Sequence, residues 1–175
     1  QTNKLIKSNH ITAPFPKLKS HYHPNKNNIW HYQLNSEPLS HYLNKMLIKS
    51  SNFIANQLAK RMAALAYGEP ASWEHSEQVF YKALAAYHVD EEASFADGSG
   101  VSRNNRIQVQ HLASALQDIY HNPKLRSLLD GLNCISLEQE GNLPVCYKTG
   151  YIRGVIGRAG YINPRGQRPK TVVIL

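Results

Sequence analysis

At 175 residues, with 42% hydrophobic side chains, 10 glycines and 9 prolines, the chain has the size and apolar content of one globular domain and not of a disordered or fibrous segment. Twenty Lys and Arg stand against twelve Asp and Glu, and the resulting formal charge of +8 favours anionic partners such as nucleic acid, anionic lipid or a carboxylate polymer without choosing among them. Two cysteines, Cys134 and Cys146, exclude a disulfide-dense scaffold and a four-cysteine zinc site, and no run of about 18 apolar residues offers a membrane-spanning helix.

Residues 1–28 hold many Lys, Asn, His and Pro with only short apolar pairs, which reads as a linker or the remnant of an inserted domain. The main body is expected over 29–175. Ile29 to Leu34 alternates weakly, and Ser36-Glu37-Pro38-Leu39 then supplies a helix cap and a proline tolerated in a first turn. Leu39, Tyr42, Leu43, Met46 and Leu47 recur at helical spacing until Lys49-Ser50-Ser51-Asn52, a helix-to-helix junction of residues that prefer caps and turns. A second helix runs from Phe53 through Ile54, Leu58, Met62 and Leu65 to its stop at Gly68 and Pro70. A third is expected over 72–88, with Ser72 as cap. Asp90 to Asn105 reads as a polar, glycine-bearing loop of functional length.

Ile107 to Tyr120 predicts a fourth helix and Pro123 to Leu129 a short fifth. Beyond Gly131 the pattern turns β-rich, with runs at Val145 to Tyr147, Tyr151 to Ile162 and Thr171 to Leu175. Asn163-Pro164-Arg165-Gly166 between the last two is a hairpin signal. The expected class is α+β, a helical cluster packed on antiparallel strands.

Three stretches carry chemistry. Ser50-Ser51-Asn52 places a hydroxyl and an amide in a Ser-x-Asn pattern; Asp97-Gly98-Ser99-Gly100-Val101-Ser102-Arg103-Asn104 forms a turn-rich loop; Lys148-Thr149-Gly150 opens an apolar run. Each triplet alone arises easily by chance, but the ordered set does not. The set resembles the class C low-molecular-mass penicillin-binding proteins, which are D-alanyl-D-alanine carboxypeptidases and endopeptidases. Ser36-Glu37-Pro38-Leu39 leading into Lys49-Ser50-Ser51-Asn52 is similar to that family's Ser-Pro-Pro-Leu followed by Lys-Ser-Asp-Asn. The loop is close to its Asp-Gly-Ser-Gly-Leu-Ser-Arg. Lys148-Thr149-Gly150 running into Arg153-Gly154-Val155 and Ala159-Gly160-Tyr161 matches its Lys-Thr-Gly, Ser-Gly-Val and Ala-Gly-Tyr.

The resemblance covers about residues 30–175 and implies the C-terminal part of a transpeptidase-like domain. It implies catalytic roles for Ser50, which would pass a proton toward the leaving amine, for Asn52, which would hold the substrate backbone, and for Lys148, which would supply positive charge. Thr149, Gly150 and Tyr151 would bind substrate: the threonine hydroxyl toward a terminal carboxylate, the glycine by permitting close approach, and Tyr151 through its backbone N–H in an oxyanion hole. Ser51 stands where the family usually has Asp, and Tyr151 where it has Thr or Ser. The partners implied are a peptidoglycan stem peptide ending in D-Ala-D-Ala, β-lactams as inhibitors, and the N-terminal part of the same protein, with no metal, no organic cofactor and a periplasmic site.

One part of the constellation is missing. Acyl transfer by a serine needs a nucleophile with a base beside it, which the family provides as Ser-x-x-Lys. No serine of the chain has a lysine three positions later. The nucleophile is therefore expected before residue 1, in a longer protein of which this chain is a fragment. Two alternatives remain: a non-catalytic peptidoglycan-binding or interaction module of the same fold, and a basic nucleic-acid-binding domain, whose affinity would fall steeply with salt. His21-x-His23 with His31 lacks cysteine or carboxylate ligands nearby and reads as solvated histidines; Ser99, outside any Gly-x-Ser-x-Gly pattern, reads as a tight turn. Cys134 and Cys146 permit one disulfide or two reduced thiols.

Overall fold

Two serines set the helical half. Ser51 is extended (φ −79°, ψ 101°) and its hydroxyl accepts from the Ile54 N–H, while the Ser72 hydroxyl accepts from the His75 N–H. Each satisfies a donor that a first helical turn leaves without an intrahelical partner. The computed structural model describes residues 35–87, 93–138 and 142–175, together with two strand segments, β1 (Lys19–His21) and β2 (His31–Gln33). Contacts divide the chain between Pro38 and Leu39. In the first part β1 and β2 pair antiparallel, with Lys19 opposite Gln33. The side chains of the histidine group at 21, 23 and 31 lie outside the described residues.

Among its described residues the second part holds four α-helices and a four-stranded sheet: α1 (Leu39–Lys49), α2 (Asn52–Tyr67), α3 (Trp73–Leu84), α4 (Val109–His121), then β3 (Asn133–Leu137), β4 (Leu143–Ile152), β5 (Val155–Ile162) and β6 (Lys170–Ile174). The class is α+β. Helix α1 begins directly after Pro38, since the residue before a proline is disfavoured in helical geometry. Gly68 (φ 88°) stops α2 and donates its N–H to the Ala64 carbonyl. The third helix is shorter than its periodicity suggests, tightening into a 3-10 turn at Ala85–Tyr87, and the expected fifth helix is a 3-10 segment at Arg126–Gly131.

The sheet is antiparallel throughout, in the order β3-β4-β5-β6. The long run expected from Tyr151 to Ile162 is split by a turn at Arg153-Gly154, where Gly154 takes φ 84°, so it supplies the end of one strand and all of the next. The hairpin through Asn163 to Gly166 forms as expected. Cys134 and Cys146 are directly opposite in the β3–β4 register and are joined as a disulfide.

Small side chains let α2 and α3 pack closely: Ala59, Ala63 and Ser76 are buried there. Helix α4 lies on β5 and β6, where the buried Tyr161 donates its hydroxyl to the Leu116 carbonyl at 2.7 Å and Tyr120 donates to the Pro164 carbonyl at 2.9 Å. Burial, with Tyr120 beside it, pushes the Tyr161 phenol up to about 12.

Candidate active site

The junction between α1 and α2 turns on one residue. Ser50 adopts φ 49°, a left-handed conformation uncommon for a residue with a side chain, and it reverses the chain between the helices. The neighbouring Ser51 hydroxyl is committed to capping α2, which leaves the Ser50 hydroxyl to face the strand that comes 98 positions later. Lys148 Nζ donates to Ser50 Oγ, and also to the Thr149 carbonyl at 2.9 Å. An ammonium has three donors, so one remains for a ligand. Burial lowers the Lys148 pKa below the ordinary lysine value.

Strand β4 offers more than side chains here. Its register with β3 ends at Tyr147, opposite Asn133, whereas its register with β5 continues to Ile152. Among the described residues, the strand is paired on one side only from Lys148 to Ile152. An unpaired edge of N–H and C=O groups is the surface to which an extended peptide adds as a further strand. The edge position also explains why Lys148 and Thr149, which leave a strand on opposite faces, both border one cavity.

The third wall is the loop before α4. Asp97 accepts from the N–H groups of Ser99 (3.0 Å), Gly100 (2.6 Å) and Ser102 (2.7 Å) and from the Asn105 amide (3.0 Å). Burial pushes its carboxyl up, but those hydrogen bonds outweigh it and hold the pKa below the usual value. Asn105 returns an acceptor to the N–H groups of Ala96 and Asp97. Arg103 donates to the Arg153 carbonyl at the β4–β5 turn.

Junction, strand edge and loop enclose a cavity of about 700 Å³. All six residues singled out from the sequence border it: Ser50 and Asn52 from the junction, and Lys148, Thr149, Gly150 and Tyr151 from the edge. A Cβ placed on Gly150 would meet nothing within 4 Å, so the space over it is open. Gly98 to Arg103 also line the cavity, as do Ile152, Val155 and Leu175. The loop is legible as a motif but carries no assigned role; Val155 stands in the Arg153-Gly154-Val155 match without one, and Ile152 and Leu175 give no signal. Among the described residues no cluster of His, Cys, Asp and Glu could hold a metal ion, and no helix is long and apolar enough to cross a membrane.

Known proteins resemble the chain in sequence and in fold. The chain is 31% identical over 146 residues to the D-alanyl-D-alanine carboxypeptidase DacB of Haemophilus influenzae, a match covering 76% of this chain and 30% of that protein. It superposes on penicillin binding protein 4 (dacB) of the same organism, solved in complex with a novel β-lactam, with TM-score 0.64 and 28% identity, covering 76% of this chain and 33% of the other. A second structure of that protein gives TM-score 0.63 at 28% identity, covering 76% and 31%. The chain thus spans about a third of the length of these relatives. Residues 25–174 match the D-Ala-D-Ala carboxypeptidase 3 (S13) family, and the chain belongs to that family.

Proposed function

We propose that the cavity is the substrate half of a D-alanyl-D-alanine carboxypeptidase or endopeptidase that acts on peptidoglycan stem peptides by serine acyl-enzyme chemistry in the periplasm. The nucleophilic serine comes from outside these 175 residues. The observation that carries the reading is the Lys148–Ser50 contact, which joins two motifs distant in sequence within one groove beside an open strand edge. The match to a carboxypeptidase over most of the chain supports it.

In this scheme the stem peptide lies along β4 from Lys148 to Ile152 and forms backbone hydrogen bonds with the free edge. The serine oxygen attacks the carbonyl carbon of the penultimate D-alanine as its proton passes to the base that accompanies it outside this chain and from there to Ser50, and the negative charge developing on that carbonyl oxygen meets the Tyr151 N–H and the nucleophile's own N–H. Ser50 passes a proton to the nitrogen of the terminal D-alanine, the C–N bond breaks, and D-alanine departs. Water then hydrolyses the ester and restores the serine. Asn52, which makes no side-chain hydrogen bond among the described residues, orients the peptide backbone. Lys148 and Thr149 engage the terminal carboxylate and Gly150 leaves room for it.

Two aromatic side chains, one on the cavity wall and one next in sequence to a wall residue, are exposed among the described residues. Phe53, beside Asn52, is 73% exposed and Tyr151 is 76% exposed. Exposure of this kind supports a further segment of the protein seating there and bringing the nucleophile. The absence of Ser-x-x-Lys from the chain also fits a second reading, a peptidoglycan-binding module without activity. The deciding experiment incubates the longer protein with an N-acylated peptide ending in D-Ala-D-Ala and measures free D-alanine. Release establishes the enzyme. Binding of the peptide without release establishes the module.

A further inference from the structure

We infer that Asn56 is a positioning residue for the groove: with Gly98 it seats the Asp97–Asn105 loop on α2, opposite the strand edge. The inference rests on the reading that the groove receives the D-Ala-D-Ala peptide. Asn56 follows Asn52 by one helical turn, so the two share a face of α2. Asn52 borders the cavity, and Asn56 stands behind it, outside the lining. Its Oδ1 accepts the Gly98 N–H at 3.0 Å, across 42 positions of sequence.

Gly98 makes this contact possible. A Cβ there would fall 2.6 Å from the Ala55 carbonyl oxygen and 2.7 Å from the Ala59 Cβ, so loop backbone and helix backbone lie closer than any side chain permits. Ala55 and Ala59 are correspondingly small, and Ala59 is only 3% exposed. Close packing fixes how near the loop sits, and the hydrogen bond fixes its register along the helix.

The rest of the loop turns one anchor into control of a whole wall. Asp97 and Asn105 stitch residues 96 to 105 into a unit through the hydrogen bonds given above. A unit of that kind moves as a body, so a shift at Gly98 is carried to Ser99, Gly100 and Arg103, which line the cavity. Arg103 ties the far side to the turn that follows the open edge. A site held within about half an ångström of its working geometry needs support of this sort behind the residues that touch substrate. Asn56 thus acts on the peptide through the loop, without contact.

Two substitutions separate the roles. Asn56→Leu keeps the bulk and removes the acceptor; Asn56→Asp keeps an acceptor. Exchange of the Gly98 amide is followed in this chain by NMR, and the second-order rate of acylation by a labelled penicillin is followed in the longer protein. In the leucine variant we expect Gly98 exchange to quicken about tenfold and acylation to slow about tenfold, the effect of one lost, partly buried hydrogen bond. The aspartate variant should restore both. Leucine-variant acylation at the wild-type rate overturns the inference, even where exchange quickens, because Asn56 would then be only structural. Failure of aspartate to restore either quantity also overturns it. If the unsubstituted longer protein takes up no penicillin, the functional reading falls separately, and equal Gly98 exchange in the two variants overturns the anchor. Should Asn56→Leu not fold, Gly98→Ala breaks the same contact from the other side and is expected to slow acylation equally; wild-type acylation by Gly98→Ala again contradicts the inference.

Discussion

The two halves of β4 share one strand but not one environment. Val145 to Tyr147 is bonded to β3 on one side and β5 on the other, with the Cys134–Cys146 disulfide across the first pairing. Among the described residues, Lys148 to Ile152 is bonded to β5 alone, and it faces a cavity. The first half buries Cys146, whereas the second leaves Tyr151 largely in solvent. The difference follows from where β3 ends: a strand saturated on both edges can only support, and one with a free edge can accept a peptide.

The sharpest way to break that comparison uses two glycines. Gly160 on β5 sits against the paired half, where a Cβ would fall 2.1 Å from the Cys146 carbonyl oxygen and 2.6 Å from the Tyr147 Cα. Gly160→Ala should cost about 3 kcal/mol in urea unfolding, since backbone cannot yield as a side-chain tip can. Gly150→Ala should stay within about 0.5 kcal/mol of the unsubstituted chain, because the space over Gly150 is open, yet should slow penicillin acylation of the longer protein. Equal costs at the two sites would erase the distinction.

Next in size is Lys148→Ala, which in the longer protein should reduce acylation by about 100-fold, the scale of losing one preorganised electrostatic donor. Stopped-flow fluorescence with a labelled penicillin measures it, with circular dichroism showing the fold retained. Tyr161→Phe should cost about 1 kcal/mol, because it removes a buried hydroxyl and leaves the Leu116 carbonyl without that donor. Its effect on acylation should be negligible, as the phenol belongs to the α4–sheet contact.

The smallest effect is in pH. Burial lowers the Lys148 pKa, so the folded chain releases that proton at lower pH than the unfolded chain does. Stability relative to Lys148→Met should therefore rise as pH climbs from the folded pKa to the ordinary lysine value, and level off above it. Titration of the lysine side-chain carbon resonances reads the shift directly. An ordinary pKa for Lys148 would mean that the groove does not shield it.

Much of this is legible in the sequence alone. The order Ser-x-Asn, glycine-rich loop, Lys-Thr-Gly pointed to one site because side-chain chemistry at fixed spacing survives in sequence, and all six residues chosen that way do border one cavity. Helix positions followed from apolar spacing and from Ser72. What escaped lacks a local signature. Strand β3 is five exposed residues with no alternation between faces, so its existence, and with it the point where the β4 edge opens, was hidden. The turn at Arg153-Gly154 was lost inside one apolar run. Asn56 and Gly98 look unremarkable alone, and only tertiary contact reveals that one seats the other.

The central claim is that this groove works with a serine supplied from outside the chain. Intact-mass analysis after incubation with a labelled penicillin tests it, on this chain and on the longer protein, with the labelled peptide then sequenced. The account predicts one adduct on the longer protein, on a serine absent from these 175 residues, and none on this chain. An adduct on a serine of this chain, or none on either protein, would contradict it.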